Sequence, residues 1–121
     1  MYAPPKASTS EQAAVLITSG SEQSGLRPFI VMSREVVHKN KPTVVGVPLT
    51  TRVHKANSYR ILLPTAELIA DVGCEPFQES VALCDHVRVL DINQFRKRIG
   101  HLSQTAVVAV QLGLAFVFDI R

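Results

Sequence analysis

Short apolar runs rich in β-branched side chains recur along the chain. Each is closed by proline, glycine or clustered polar residues, the pattern of an antiparallel, sheet-rich fold. Residues 13–18 (Ala-Ala-Val-Leu-Ile-Thr), 29–34 and 43–49 each read as a strand, and His38-Lys39-Asn40-Lys41-Pro42 has the composition of a polar turn between the last two. Residues 58–63 supply a further strand stopped by Pro64, after which Thr65 is placed to cap a brief helical turn through Ala70. The longest strand candidate is 81–90. Val81, Leu83, Asp85, Val87 and Val89 alternate onto one face, nearly all apolar and hence core, with Ala82, Cys84, His86, Arg88 and Leu90 on the other.

Helical signals gather at the end of the chain. Asp91 stands as the N-cap of a helix over 92–98, whose Arg96, Lys97 and Arg98 fall where the helix dipole favours cations. Ser103 then caps a last helix over roughly 104–118, apolar on almost every side and therefore expected to be buried between the sheet and a partner. Phe29, Phe77, Phe95, Phe116 and Phe118 are assigned to the core, and Tyr59 to a half-buried strand position. Residues 1–12, with Pro4-Pro5 and Ser8-Thr9-Ser10, have linker chemistry and are expected to be disordered. Residues 13–121 then form a single domain, mainly β with α (α+β).

Composition narrows the classes. With 46% hydrophobic and 19% charged residues in 121, the chain can bury one core and leaves apolar surface for which a symmetric partner is the economical cover. Cys74 and Cys84 lack the paired spacing of a zinc site and are expected to be free thiols in a reducing compartment. The first twelve residues have no signal-peptide core. The apolar run 106–118 is broken by Gln111 and Gly113 and falls short of the ~20 residues a bilayer demands. A cytoplasmic protein with no membrane association is expected.

The formal charge of +3 conceals a local excess: residues 27–60 carry seven Lys or Arg against the single acid Glu35. Such a field suits a polyanion, whose phosphates release counterions to lysine and arginine. Two segments focus it. Gly20-Ser21-Glu22-Gln23-Ser24-Gly25-Leu26-Arg27-Pro28 is a turn-forming loop that delivers Arg27 to the mouth of an apolar strand. Val44-Val45-Gly46-Val47-Pro48-Leu49-Thr50-Thr51-Arg52 ends a second strand in hydroxyls and another cation. A guanidinium can grip two phosphate oxygens and a hydroxyl can donate to a third, whereas His-Glu-x-x-His, paired-cysteine and Walker-type phosphate motifs are all missing.

These two segments, with Ser80-Val81-Ala82-Leu83-Cys84-Asp85-His86-Val87-Arg88-Val89-Leu90-Asp91, resemble the MazF/PemK (Kid-like) toxin endoribonucleases over residues 20–121. The resemblance implies a small SH3-like, CcdB-type barrel closed by the C-terminal helix. It also implies a homodimer, and sequence-selective cleavage of single-stranded RNA to 2′,3′-cyclic phosphate and 5′-hydroxyl ends without metal or other cofactor. A cognate antitoxin with an acidic tail is the implied inhibitor. Arg27 and Thr50 match the family's catalytic positions, and Glu22, Gln23, Thr51, Arg52 and Lys55 would contact RNA. Glu22 and Gln23 equally suit a role in closing their own turn, and Arg52 a solvated strand end. His38 and His54 read as bystanders in basic loops. His86, where the family often has glutamine, reads as a packed structural histidine, with a place along a dimer groove as the alternative, and His101 reads as structural.

Ahead of Gly20 the chain departs from the family, lacking an aromatic-rich first strand and an Asp-Pro turn. That implies a weak first strand at an exposed barrel edge, a shortened loop and, as the alternative function, a catalytically degenerate RNA- or antitoxin-binding dimer. A gyrase poison of the CcdB type ranks lower, since the chain ends Val117-Phe118-Asp119-Ile120-Arg121 rather than in Trp-Gly-Ile.

Overall fold

The ten-residue strand β4 (Lys41–Thr50) organises the sheet by pairing with four others. A computed structural model describes residues 14–18, 28–33, 36–38 and 41–120. Within them lie β1 (Ala14–Thr18), β2 (Pro28–Val31), β3 (Val36–His38), β4, β5 (Arg60–Leu63), β6 (Leu68–Ala70), β7 (Ser80–Leu83), β8 (Arg88–Asp91), β9 (Phe95–Leu102) and the helix α1 (Gln104–Phe118). The antiparallel sheet runs β5-β7-β4-β2-β1-β9-β6, with β3 and β8 also on β4. Glu22, Gln23 and Arg27, together with residues 1–12, lie outside the described residues.

β1 and β2 are apolar on both faces because two separate cores clamp them. Val15 and Ile30 point into a cluster closed by Ala106, Val107 and Val110 of α1. Leu16, Phe29 and Val31 point the other way, against Val44, Leu90, Ile92 and Phe95. A strand buried on both sides reads as an unbroken apolar run, which is how these two appear in the sequence. Phe29 and Phe95 meet edge to face with centroids 6.3 Å apart, and the Arg88 guanidinium caps the Phe29 ring at 4.8 Å. The expectation of an exposed first strand is corrected: β1 is paired on both edges, by β2 and β9, and Val15 and Leu16 are fully buried.

Four further expectations change. The 81–90 strand is interrupted. Ala82 stands opposite Leu49, yet Arg88, six residues on, stands opposite Gly46, only three residues back. The surplus is a 3-10 turn at Cys84–His86 that faces the stretch of β4 containing Pro48, which has no N–H to offer a ladder. The 92–98 helix is one 3-10 turn followed by β9. Asp91 caps that turn as foreseen, Oδ1 accepting from the Asn93 amide at 2.9 Å while its own amide donates to Gln94 Oε1. Arg96 and Lys97 are thereby exposed on a strand rather than gathered at a helix end, because β1 needs a second ladder partner. Beyond Pro64 the helical signal yields a 3-10 turn at Thr65–Glu67 with Pro64, not Thr65, in the N-cap position and no side-chain cap, and then β6 pairs with β9. His38, Lys41 and Pro42, expected in a polar turn, are strand residues, with Val36–His38 in register with Lys41–Thr43.

The last helix spans the residues the sequence predicts. Ser103 Oγ accepts from the Ala106 amide at 3.1 Å, and Asp119 closes the C-terminus in the left-handed region at φ 55°. Gly113 permits the close approach of α1 to the Cys84 turn and Ile61. Burial, however, covers only one face. Leu112, Phe116 and Phe118 are 67%, 60% and 57% exposed, which removes the last two from the core.

Gly100 lies where β9 crosses β6 and the Phe77 ring: an added methyl would meet the Ile69 carbonyl oxygen and, at 2.6 Å, Phe77 Cε2. Gly100→Ala is expected to lower unfolding stability in urea by about 1–3 kcal/mol, since backbone as well as a side chain must move. A midpoint equal to the wild type's would contradict this packing.

Candidate active site

Thr50 ends β4 half-buried, and its hydroxyl is already oriented. Oγ1 accepts from the Arg52 amide at 3.2 Å, which leaves the O–H proton free to be donated elsewhere. The Arg52 carbonyl in turn accepts from the Lys55 amide at 3.1 Å, so the chain from Thr50 to Lys55 curls into a short 3-10 turn. This local closure brings Thr50, Thr51, Arg52 and Lys55 to one wall of a cavity of about 1040 Å3. Ile17, Pro28 and Pro48 belong to the strands β1, β2 and β4 and line its apolar part. The connection from β6 to β7 contributes Cys74, Glu75 and Phe77, the 3-10 turn contributes His86, and β9 contributes Lys97 and Ile99.

Four sequence candidates, Thr50, Thr51, Arg52 and Lys55, thus share one site. Arg27 is outside the described residues, but Pro28, the next residue, lines the cavity. Lys97, Glu75 and His86 were not among the candidates. Lys97 had been placed at a helix end, and Glu75 comes from a loop with no motif. His86 is not packed as foreseen: its side chain is 55% exposed and Nε2 lies 3.6 Å from Asp85 Oδ2. Tyr59 stacks on Phe116 with centroids 5.9 Å apart and does not reach the cavity wall. His54 is exposed and also off the wall.

The turn bearing His86 is anchored from both sides. Inward, Cys84 is fully buried and its Sγ donates to the Val110 carbonyl of α1 at 3.7 Å. Burial, with the Asp85 charge second, pushes this thiol up to about 11, which makes it an inert packing group. Outward, the Arg60 guanidinium donates from Nε and Nη2 to both oxygens of Asp85, at 2.7 Å in the shortest pair. That hydrogen bond holds the Asp85 carboxyl below its ordinary range and raises Arg60 in return. At the other end of the strand order, Arg98 Nε donates to Asp71 at 2.9 Å and Arg98 Nη2 approaches His101 Nδ1 at 3.3 Å. No group of three or more His, Cys, Asp or Glu side chains among the described residues is arranged to hold a metal ion. No helix among them is long and apolar enough to cross a membrane.

A family model described as the PemK-like, MazF-like toxin of type II toxin-antitoxin systems matches residues 13–118. An endoribonuclease MazF of Staphylococcus saprophyticus subsp. saprophyticus is 32% identical over 84 residues, 69% of this chain and 66% of that protein, so the aligned stretch falls just short of two-thirds of the relative's length. Among solved structures, the Mycobacterium tuberculosis toxin MazF-mt6 superposes with a TM-score of 0.67 at 21% identity, covering 89% of this chain and 98% of that one. A mycobacterial endoribonuclease in complex with its cognate antitoxin gives 0.61 at 18% identity, covering 97% and 98%. The curled sheet closed by a C-terminal helix is the architecture they share with it.

The Arg60–Asp85 pair generates a pH dependence of known sign. A carboxyl depressed in the folded state contributes stability that is full above its unfolded pKa, near 4, and is lost as pH falls through the folded value. Between pH 5 and pH 3 the urea midpoint of Asp85→Asn should therefore fall less than that of the wild type. Parallel losses in the two proteins would show the pair to be energetically silent.

Proposed function

The chain belongs to the PemK-like, MazF-like toxins of type II toxin-antitoxin systems, and from that premise we propose that it is a sequence-selective endoribonuclease cutting single-stranded RNA without a metal ion. The observation that carries this reading is the position of Thr50. Its hydroxyl stands on the wall of a large open cavity, held by the Arg52 amide, with Thr51, Arg52 and Lys55 beside it.

Cleavage requires the ribose 2′-oxygen to attack phosphorus, a phosphorane to be stabilised and the 5′-oxygen to leave protonated. The products are a 2′,3′-cyclic phosphate and a 5′-hydroxyl. Thr50 donates its O–H to a nonbridging oxygen. Arg27, next to the cavity-lining Pro28 in sequence, grips the same phosphate; a guanidinium holds its proton too firmly for acid–base work and suits charge stabilisation. Thr51, Arg52 and Lys55 bind flanking phosphates, while Glu22 and Gln23 contact bases or orient Arg27. The polar side chains on the described wall are hydroxyl, guanidinium, ammonium and imidazole groups, the Gln78 carboxamide and the Cys74 thiol, with Glu75 as the carboxylate, a set suited to phosphate rather than to a divalent cation.

The active form is a homodimer, for which the uncovered apolar side of α1, Leu112, Phe116 and Phe118, supplies contact surface. A cognate antitoxin inhibits it by laying an acidic segment across the cations that would otherwise hold RNA. The setting is the cytoplasm, where the RNA and the antitoxin meet it.

Primer extension on a long RNA incubated with the purified protein in chelator tests the activity. Discrete cuts at one short motif are expected, reduced about 100-fold or more in Thr50→Ala and in Arg27→Ala. A folded dimer that binds RNA without cutting it would point instead to a catalytically degenerate binding module. Cuts undiminished by either substitution would identify a contaminating nuclease.

A further inference from the structure

We propose that His86 is the general acid of this site, protonating the 5′-oxygen as it leaves; the proposal rests on the endoribonuclease reading above. In the cleavage step the 2′-oxygen forms its bond to phosphorus, and its proton passes to solvent. The bond from phosphorus to the 5′-oxygen breaks, and the imidazolium of His86 gives that oxygen a proton, which it regains from water before the next turnover. No other reactant is consumed.

Three observations support this assignment. His86 lines the same cavity as Thr50, Arg52 and Lys55, with its side chain 55% exposed, so the ring is open to a bound phosphodiester instead of packed away. Its backbone is held in place, because Cys84 is buried under α1 and Asp85 is clamped by two donors of Arg60. The Asp85 carboxylate lies 3.6 Å from Nε2, so Nδ1 is the nitrogen that this carboxylate does not engage and the one assigned the transferable proton.

The charged groups around His86 are of both signs. Asp85 shares its negative charge with Arg60. Arg52 and Lys55 beyond β4, and Lys97 on β9, are cations lining the same cavity. Glu75, on the connection from β6 to β7, is the carboxylate among them, with the Cys74 thiol beside it. A bound phosphodiester adds a further negative charge on the side of the imidazolium. Guanidinium and ammonium groups ordinarily release protons far above neutrality and carboxyls far below it. Imidazole is the side-chain type on this wall whose ordinary titration suits proton transfer near pH 7.

The test compares two substrates carrying a mapped cut site. One is ordinary RNA; the other replaces the scissile 5′-oxygen with sulfur, whose thiolate leaves without needing a proton. Single-turnover rates from pH 5 to pH 9 are measured for the wild type, His86→Ala, His86→Gln and Thr50→Ala. A general acid must be protonated, so the wild-type rate on ordinary RNA should fall as pH rises through the imidazole range, and that limb should vanish in both His86 variants. Each should be slower by about 100-fold on ordinary RNA and close to wild type on the sulfur substrate, whereas Thr50→Ala should be slow on both. Equal slowing of the His86 variants on both substrates, or full activity of His86→Gln on ordinary RNA, would overturn the acid role while leaving the nuclease reading intact. A wild-type protein that cuts neither substrate would overturn both.

Discussion

The site depends on the way β4 shares its two edges among four strands. Along its first half it pairs with β3 and β8, and toward its end with β2 as far as Pro48 and with β7 at Leu49 and Thr50, so its last residue is held by the β7 ladder. The mismatch in register between β7 and β8 has to be absorbed somewhere. It is absorbed by the 3-10 turn at Cys84–His86, which sits beside the strand end carrying Thr50. One topological constraint therefore delivers both the hydroxyl and the imidazole to the same cavity. The irregularity costs little, because Cys84 fills the space under α1 and Asp85 satisfies Arg60.

Electrostatics then divides the surface by task. The Arg60–Asp85 pair has its charges compensated, as has Arg98 against Asp71, and both act as fasteners between strands. By contrast, Arg52, Lys55 and Lys97 rim the cavity with only Glu75 among them on its described wall. Exposed ion pairs contribute little to stability, so the separation matters more for what the cavity attracts than for what holds the sheet together. A phosphodiester chain fits that rim, and so does an acidic peptide. The two would compete for the same cations.

What could be read from the sequence followed from whether the cause was local. α1 was legible in its start and extent, because a serine cap and an apolar run interrupted at Gln111 and Gly113 are local signals. β1 and β2 were legible because burial on both faces leaves an unbroken apolar stretch. The helix expected over 92–98 failed although its cap was real: Asp91 and Gln94 do close one turn, but the need of β1 for a partner then draws Phe95–Leu102 into the sheet. The break in 81–90 was invisible because it arises from register against β4, a strand more than thirty residues earlier. In the site, Thr50, Thr51, Arg52 and Lys55 could be found together because they are nearly contiguous. His86, Lys97 and Glu75 reach the cavity from three separate segments, and only the fold brings them there.

The most direct test of metal-free RNA cleavage at this cavity is the chemistry of the ends it leaves. RNA cut by the purified protein in chelator would be labelled with polynucleotide kinase without prior phosphatase treatment. Downstream fragments that label at once carry 5′-hydroxyls, as attack by the neighbouring 2′-oxygen requires. Fragments that label only after phosphatase carry 5′-phosphates, the signature of attack by water, and would contradict the mechanism at its first step.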